Sequence, residues 1–205
     1  MGPDLSFVAR RLRLLALDVD GVLTDNRNIQ GLGVDAKVFH VHDKIGIRLA
    51  QDRLGIPIAL ATGRESPATR LFAEEMNIEH CVVSPTGKKL ADFTALLDSL
   101  KLGWHEVAFV GDDIADIPLL RRVGLPIAVR NAHESVFPHA KYVTTKAGGD
   151  GAVREVIDWI AKLTGAYAQA YDVELTLRES AHPADGMAFE GGDRWKHQPG
   201  HGAEE

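Results

Sequence analysis

Two aspartates two residues apart, Asp18 and Asp20, end a short apolar run and enter a glycine turn in the string Leu15-Ala16-Leu17-Asp18-Val19-Asp20-Gly21-Val22-Leu23-Thr24-Asp25. Carboxylates so spaced can converge on one point. Asp18 is placed to act as a nucleophile, and Asp20 to exchange a proton with a leaving group. A bare Asp-x-Asp-Gly is more often a turn with incidental acids, so the other motifs must decide. Ala61-Thr62-Gly63-Arg64 offers a hydroxyl and backbone N–H groups at a strand-to-helix junction, where phosphoryl oxygens can be held. Gly87-Lys88-Lys89 opens a helix and brings an ammonium that could neutralise a transferring phosphoryl group, although a solvated lysine is the commoner case. Gly111-Asp112-Asp113-Ile114-Ala115-Asp116 adds acids for an all-oxygen Mg²⁺ site. Asp112 is the expected ligand among them; Asp113 equally suits a helix N-cap, and Asp116 a tether for the lysine. Nucleophile, proton-transfer acid, phosphoryl cradle, lysine and metal acid, in that order, make up the set that metal-assisted phosphoryl transfer needs.

The elements that must position these residues are legible in the apolar pattern. Leu14–Leu17, Ile56–Ala61, Cys81–Val83, Val107–Val110 and Ile127–Val129 are short runs suited to strands buried on both faces. Helical periodicity falls between them, near Ile45–Leu54, Pro67–Asn77, Lys88–Leu100 and Asp113–Val123, and again over Gly151–Leu163. The alternation predicts an α/β fold, a doubly wound parallel sheet whose sites form beyond the carboxyl ends of the strands. Each chemical motif follows a different run. The segment 26–41 breaks the alternation and reads as a small β-hairpin. From about residue 166 periodicity fades, so residues 1–165 read as one domain and 166–205 as a mostly disordered tail with at most a short helix at its start.

Composition narrows the function classes. Apolar residues make up 45% and charged residues 25% of 205 positions, the balance of a soluble globular protein. A net charge of -6 without a basic stripe argues against nucleic acid, and no apolar run is long enough to span a membrane. One cysteine, Cys81, excludes an intrachain disulfide and suits a reducing cytoplasm; its apolar neighbours predict a buried core thiol. The scattered histidines lack zinc-ligand spacing.

With these motifs in place, the sequence resembles the haloacid dehalogenase superfamily of aspartate-nucleophile phosphatases. The matching residues are Asp18 to Asp25, Thr62, Lys89, and Gly111-Asp112-Asp113 with Asp116. The resemblance implies that Asp18 is phosphorylated and that Asp20 protonates the leaving oxygen and then activates water. It also implies Mg²⁺ on Asp18, the main-chain carbonyl of Asp20 and Asp112, with Asp113 and Asp116 behind them. Thr62 and Lys89 would bind the phosphoryl group.

A closer resemblance is to the capless phosphatases of 3-deoxy-D-manno-octulosonate 8-phosphate (KDO 8-phosphate), enzymes of lipopolysaccharide synthesis, and their sialic-acid-type relatives. It rests on Lys37-Val38-Phe39, on His42-Asp43-Lys44-Ile45-Gly46-Ile47-Arg48, on Thr62-Gly63-Arg64 and Arg70, and on the stretch Ala147 to Glu155. It implies a sugar phosphate substrate, a hairpin flap in place of a cap domain, and a homotetramer. The expected substrate contacts are Asp20, Gly21, Asp43, Lys44, Arg48, Gly63, Arg64 and Arg70, although Arg48 and Arg70 lie on helices, where salt bridging is commoner. Lys44 stands where the family carries glycine. Three alternatives stay open at this point: a phosphatase for a nine-carbon keto-acid 9-phosphate, a catalytically silent interaction module, and a phosphomutase, for which the chain leaves no room for a cap.

Overall fold

The runs that end on Asp18, Thr62 and Asp112 are apolar on both faces, and strands of that kind need a helical layer above and below. The computed structural model, which describes residues 4–27 and 35–180, has that architecture. Six parallel strands, β1 (Leu14–Leu17), β2 (Ile58–Thr62), β3 (His80–Val83), β4 (Val107–Gly111), β5 (Leu125–Ala128) and β6 (Tyr142–Val143), lie in the order β3-β2-β1-β4-β5-β6. Every residue of β1, β2, β4 and β5 is buried. The chain winds outward from β1 in one direction and then returns beside it as β4. The sheet therefore reverses its winding between these two strands, and such a reversal leaves a crevice beyond their carboxyl ends. Leu17 pairs with Val110 across this point, and the Asp18 N–H donates to the Val110 carbonyl at 3.0 Å.

The helices are α1 (Leu5–Ala9), α2 (Val41–Asp52), α3 (Pro67–Glu75), α4 (Lys89–Leu100), α5 (Ile117–Leu120), α6 (Ala152–Thr164) and α7 (Tyr167–Ser180). Ser66 caps α3 by accepting from the Thr69 N–H, and Pro67 occupies its first turn, where a missing N–H costs nothing. The helix expected over Asp113–Val123 is broken into a 3₁₀ turn, Ile114–Asp116, and the short α5. Pro118 explains the break, because its ring and missing N–H prevent a helix from running through it from Asp113. Val153, Val156, Ile157 and Ile160 are buried along α6 as their spacing predicts, whereas Leu163 is half-buried.

Two expectations change, and a third falls mostly outside the described residues. Cys81 is exposed, because β3 is an edge strand and only Val82 within it is fully buried. The hairpin expected over 26–41 lies partly outside the described residues; residues 35–40 carry no strand, and Val41 opens α2 behind its N-cap His40. The alternation that suggested a strand there has another cause. Lys37 and Phe39 face the domain, while Val38 between them is 71% exposed. The segment expected as a tail from 166 opens with α7, and residues 181–205 lie outside the described residues. The first compact unit ends at Ala170; the second runs from Tyr171, and within it Val173, Leu175 and Leu177 are exposed.

The loop between β6 and α6 packs against the turn that follows β1. A Cβ placed on Gly148 would lie 1.7 Å from the Gly21 carbonyl oxygen, and the Gly149 N–H donates to the Val22 carbonyl at 3.1 Å. Overpacking of this kind costs about 1–3 kcal/mol. We expect Gly148→Ala to lower the free energy of unfolding by that amount, read as a lower thermal midpoint, and, by displacing the turn that carries Asp20, to slow phosphate release at least ~10-fold. Unchanged kcat/KM would show that Gly21 can yield without moving the carboxylates.

Candidate active site

Three strand ends and one helix start deliver the chemistry. A cavity of about 250 Å³ is lined by Asp18, Asp20, Asn26, Thr62, Gly63, Arg64, Lys89, Asp112, Asp113, Ala115 and Asp116. Asp18 follows β1 and Asp112 follows β4, the neighbours at the reversal point. Thr62 is the last residue of β2. Lys89 is the first residue of α4, a poor place for a cation because the helix N-terminus is itself positive. Two carboxylates offset that cost. The Lys89 ammonium donates to Asp18 Oδ1 at 2.6 Å and to Asp116 Oδ1 at 2.7 Å, and all three side chains are buried.

Asp116 does more than tether the lysine. Its Oδ2 accepts from the backbone N–H of Asp112 at 2.9 Å and of Asp113 at 3.3 Å, which shapes the turn presenting Asp112. Asp113 caps the 3₁₀ turn through the Ile114 N–H at 2.7 Å. Gly21 has φ +98°, and a Cβ there would sit 2.0 Å from Asp112 Oδ2, so only glycine lets the two loops meet. The Thr62 hydroxyl accepts from the Arg64 N–H at 3.2 Å and donates to the Arg64 carbonyl at 3.3 Å, closing the turn that carries Gly63. Arg64 reaches Asp20 at 3.8 Å.

The other expected substrate contacts are not brought here. Asp43 is buried where α2 meets α6 and accepts from the Arg154 N–H at 2.7 Å; burial pushes its pKa up to about 6. Lys44 is drawn to α3, pairing with Glu75 at 2.7 Å beside the Phe72 ring. Arg48 is exposed on α2, and Arg70 pairs with Glu65. The Arg154 guanidinium pairs locally with Asp158 at 2.9 Å. Helical side chains with acidic neighbours within reach satisfy one another first. Sequence reasoning had missed Asn26, whose Nδ2 approaches Asp112 Oδ2 at 3.4 Å, and Lys37, which pairs with Asp20. The inward alternation of Lys37 with Phe39 was the available signal.

Comparisons with known proteins agree with this geometry. Residues 81–157 match the haloacid dehalogenase-like hydrolase family. Over 168 residues, 82% of this chain and 88% of the relative, the sequence is 40% identical to the 3-deoxy-D-manno-octulosonate 8-phosphate phosphatase KdsC of Escherichia coli strain K12. The crystal structure of the Yersinia pestis phosphatase of that name superposes with a TM-score of 0.77 at 37% identity, covering 82% of this chain and 90% of that one. The Moraxella catarrhalis phosphatase, solved with magnesium ion, phosphate ion and KDO, superposes with a TM-score of 0.79 at 32% identity, covering 85% of this chain and 99% of that one. The chain belongs to the KdsC family of haloacid dehalogenase-like phosphatases.

This KdsC-family enzyme is a phosphoric monoester hydrolase, and its electrostatics suit that work. One carboxylate oxygen each from Asp18, Asp112 and Asp116 lie within 4.8 Å of one another. Three buried acids against one ammonium leave excess negative charge. Burial, then Asp116, raises the Asp18 pKa above the carboxylate range despite Lys89. Burial, then Asp116 and Asp113, pushes Asp112 up to about 7. Burial alone would depress Lys89, but Asp18 and Asp116 outweigh it and hold the ammonium charged. Crowded acids of this kind fit a divalent cation, which stabilises the ionised form of each.

The sign of the linkage follows. Both acids have folded-state pKa values above the ordinary 3.8, so their stabilising contribution is complete below about pH 4 and is lost as pH rises through about 7 for Asp112 and about 8 for Asp18. Metal-free protein should therefore lose thermal stability as pH rises from about 4 to about 8, and divalent cation should restore more at the upper end. Asp112→Asn should flatten the slope. A metal-free profile already flat in that window would remove this account.

Proposed function

We propose that this enzyme hydrolyses KDO 8-phosphate to KDO and inorganic phosphate, with Mg²⁺ as cofactor and Asp18 as the residue phosphorylated in transit. One observation carries the mechanism: the Lys89 ammonium bridging Asp18 and Asp116, with Asp112 beside them and Thr62 facing the same cavity. The substrate reading is supported by the 40% identity to the Escherichia coli enzyme and by the KDO bound to the Moraxella relative.

An Asp18 oxygen attacks phosphorus while Lys89 and the Thr62–Arg64 turn hold the phosphoryl oxygens. The ester P–O bond breaks, its electron pair stays with the sugar oxygen, and Asp20 supplies that oxygen with a proton. Water then attacks phosphorus, gives its proton to Asp20, and displaces the Asp18 carboxylate as inorganic phosphate leaves. Asp18, Asp112 and the main-chain carbonyl of Asp20 would hold Mg²⁺, because both Asp116 oxygens already accept N–H groups. When bound, the cation neutralises charge on the phosphoryl oxygens and orients them. The Arg64 fork matches the carboxylate of a keto-acid sugar.

Residues 1–165 would carry the catalysis, in a cytoplasmic homotetramer that feeds lipopolysaccharide precursor synthesis. Neighbouring subunits would then exclude water from a site that lacks a cap.

Phosphate release measured over a panel of sugar phosphates, with and without Mg²⁺, tests this reading. KDO 8-phosphate should exceed a nine-carbon keto-acid 9-phosphate and an aryl phosphate by at least ~10-fold in kcat/KM. Asp18→Asn should cost ~10³-fold or more. Turnover that survives this change would exclude the phospho-aspartate, and equal kcat/KM across the panel would exclude the substrate.

A further inference from the structure

Asp20 meets two cations, and one of them comes from a segment with no regular structure. Residues 35–40 carry no regular structure and lead into α2. Asp35 accepts from the Ser66 hydroxyl and from Arg64 Nη1, the latter at 3.4 Å. The Phe39 ring stacks on Phe72 with centroids 4.1 Å apart. Between these anchors the Lys37 ammonium pairs with Asp20 Oδ1. Its side chain is 2% exposed, against 29% for Asp20. A buried ammonium is tolerated when it is paired, so the placement of this segment is tied to one carboxylate oxygen. Arg64 Nη2 approaches the same Oδ1. Among the described residues no hydrogen bond falls on Asp20 Oδ2.

We propose that Lys37 is a positioning residue for the leaving-group step: by holding Asp20 Oδ1 it aims Oδ2 at the ester oxygen. The inference rests on the phospho-aspartate reading above. As Asp18 forms its bond to phosphorus, the ester P–O bond breaks with its electron pair on the sugar oxygen. The proton on Asp20 Oδ2 moves to that oxygen. Lys37 exchanges no proton; it restricts the carboxylate that does. Precise placement of an acid matters most when the leaving group is a poor one.

Leaving-group dependence provides the test. An alkoxide such as that of a sugar phosphate needs the proton, whereas p-nitrophenolate departs without one. kcat/KM ends at the first irreversible step, so it reports this transfer and not the later hydrolysis of the aspartyl phosphate. Lys37→Met should lower kcat/KM for KDO 8-phosphate about 30-fold, and that for p-nitrophenyl phosphate less than ~3-fold. Lys37→Arg should restore most of the loss. In an Asp20→Asn background, Lys37→Met should cost nothing further, because the residue through which it acts is gone. Equal losses on both esters would mean a merely structural role and overturn the proposal. So would a loss confined to KM for the sugar phosphate, which would make Lys37 a substrate contact, or losses that add to those of Asp20→Asn. Failure of the underlying reading looks different: Asp18→Asn would then retain activity on both esters, whatever Lys37 does.

Discussion

A buried ammonium shared by two carboxylates is the interaction on which this site depends. Lys89 stands at the start of a helix, where the backbone disfavours it, and is almost wholly removed from water. Only Asp18 and Asp116 make that position tolerable. The converse also holds, since two acids so close in a dry site would otherwise repel. The arrangement remains short of positive charge once Asp112 is counted. That deficit suits the cavity to a divalent cation, whose charge would offset the crowded carboxylates, rather than to a salt bridge that serves stability alone.

The sheet supplies the registry this requires. Asp18 and Asp112 become neighbours because β1 and β4 are adjacent where the winding reverses, although 94 residues separate them in the chain. Thr62 arrives from the other side of β1. Rigid strand ends locate the carboxylates, and the loops beyond them finish the site. Asp116 and Gly21 set how closely those loops approach Asp112.

Much of this was legible in the sequence, for a physical reason. Parallel strands buried on both faces produce short continuous apolar runs, and polar residues directly after such runs have one place to go. That logic found Asp18, Asp20, Thr62, Lys89 and Asp112, and the double reading of Asp116 as a tether. It did not anticipate where side chains choose between competing partners, which keeps three of the named residues out of the cavity lining. Asp43, Lys44 and Arg70 are charged residues near the right motifs, but Arg154, Glu75 and Glu65 reach them first. It failed too where an element is too short for a pattern, as in the two residues of β6, and at Cys81, whose neighbours are apolar but whose strand lies at an edge. Lys37 is not assigned to the site by its sequence because alternation also signals a paired strand, whereas here it marks an unpaired segment with one face against the domain.

The contact between Gly148 and Gly21 has a consequence for how the enzyme comes into being. The turn carrying Asp20 is synthesised well before the loop on which its backbone rests, more than 120 residues later. A nascent chain holds Asp18 and Asp20 long before it holds the support for the turn between them and Val22. Reactivity should therefore appear late in synthesis and all at once, when the final strand and α6 close over the sheet, and truncated amino-terminal products would leave Asp18 chemically inert.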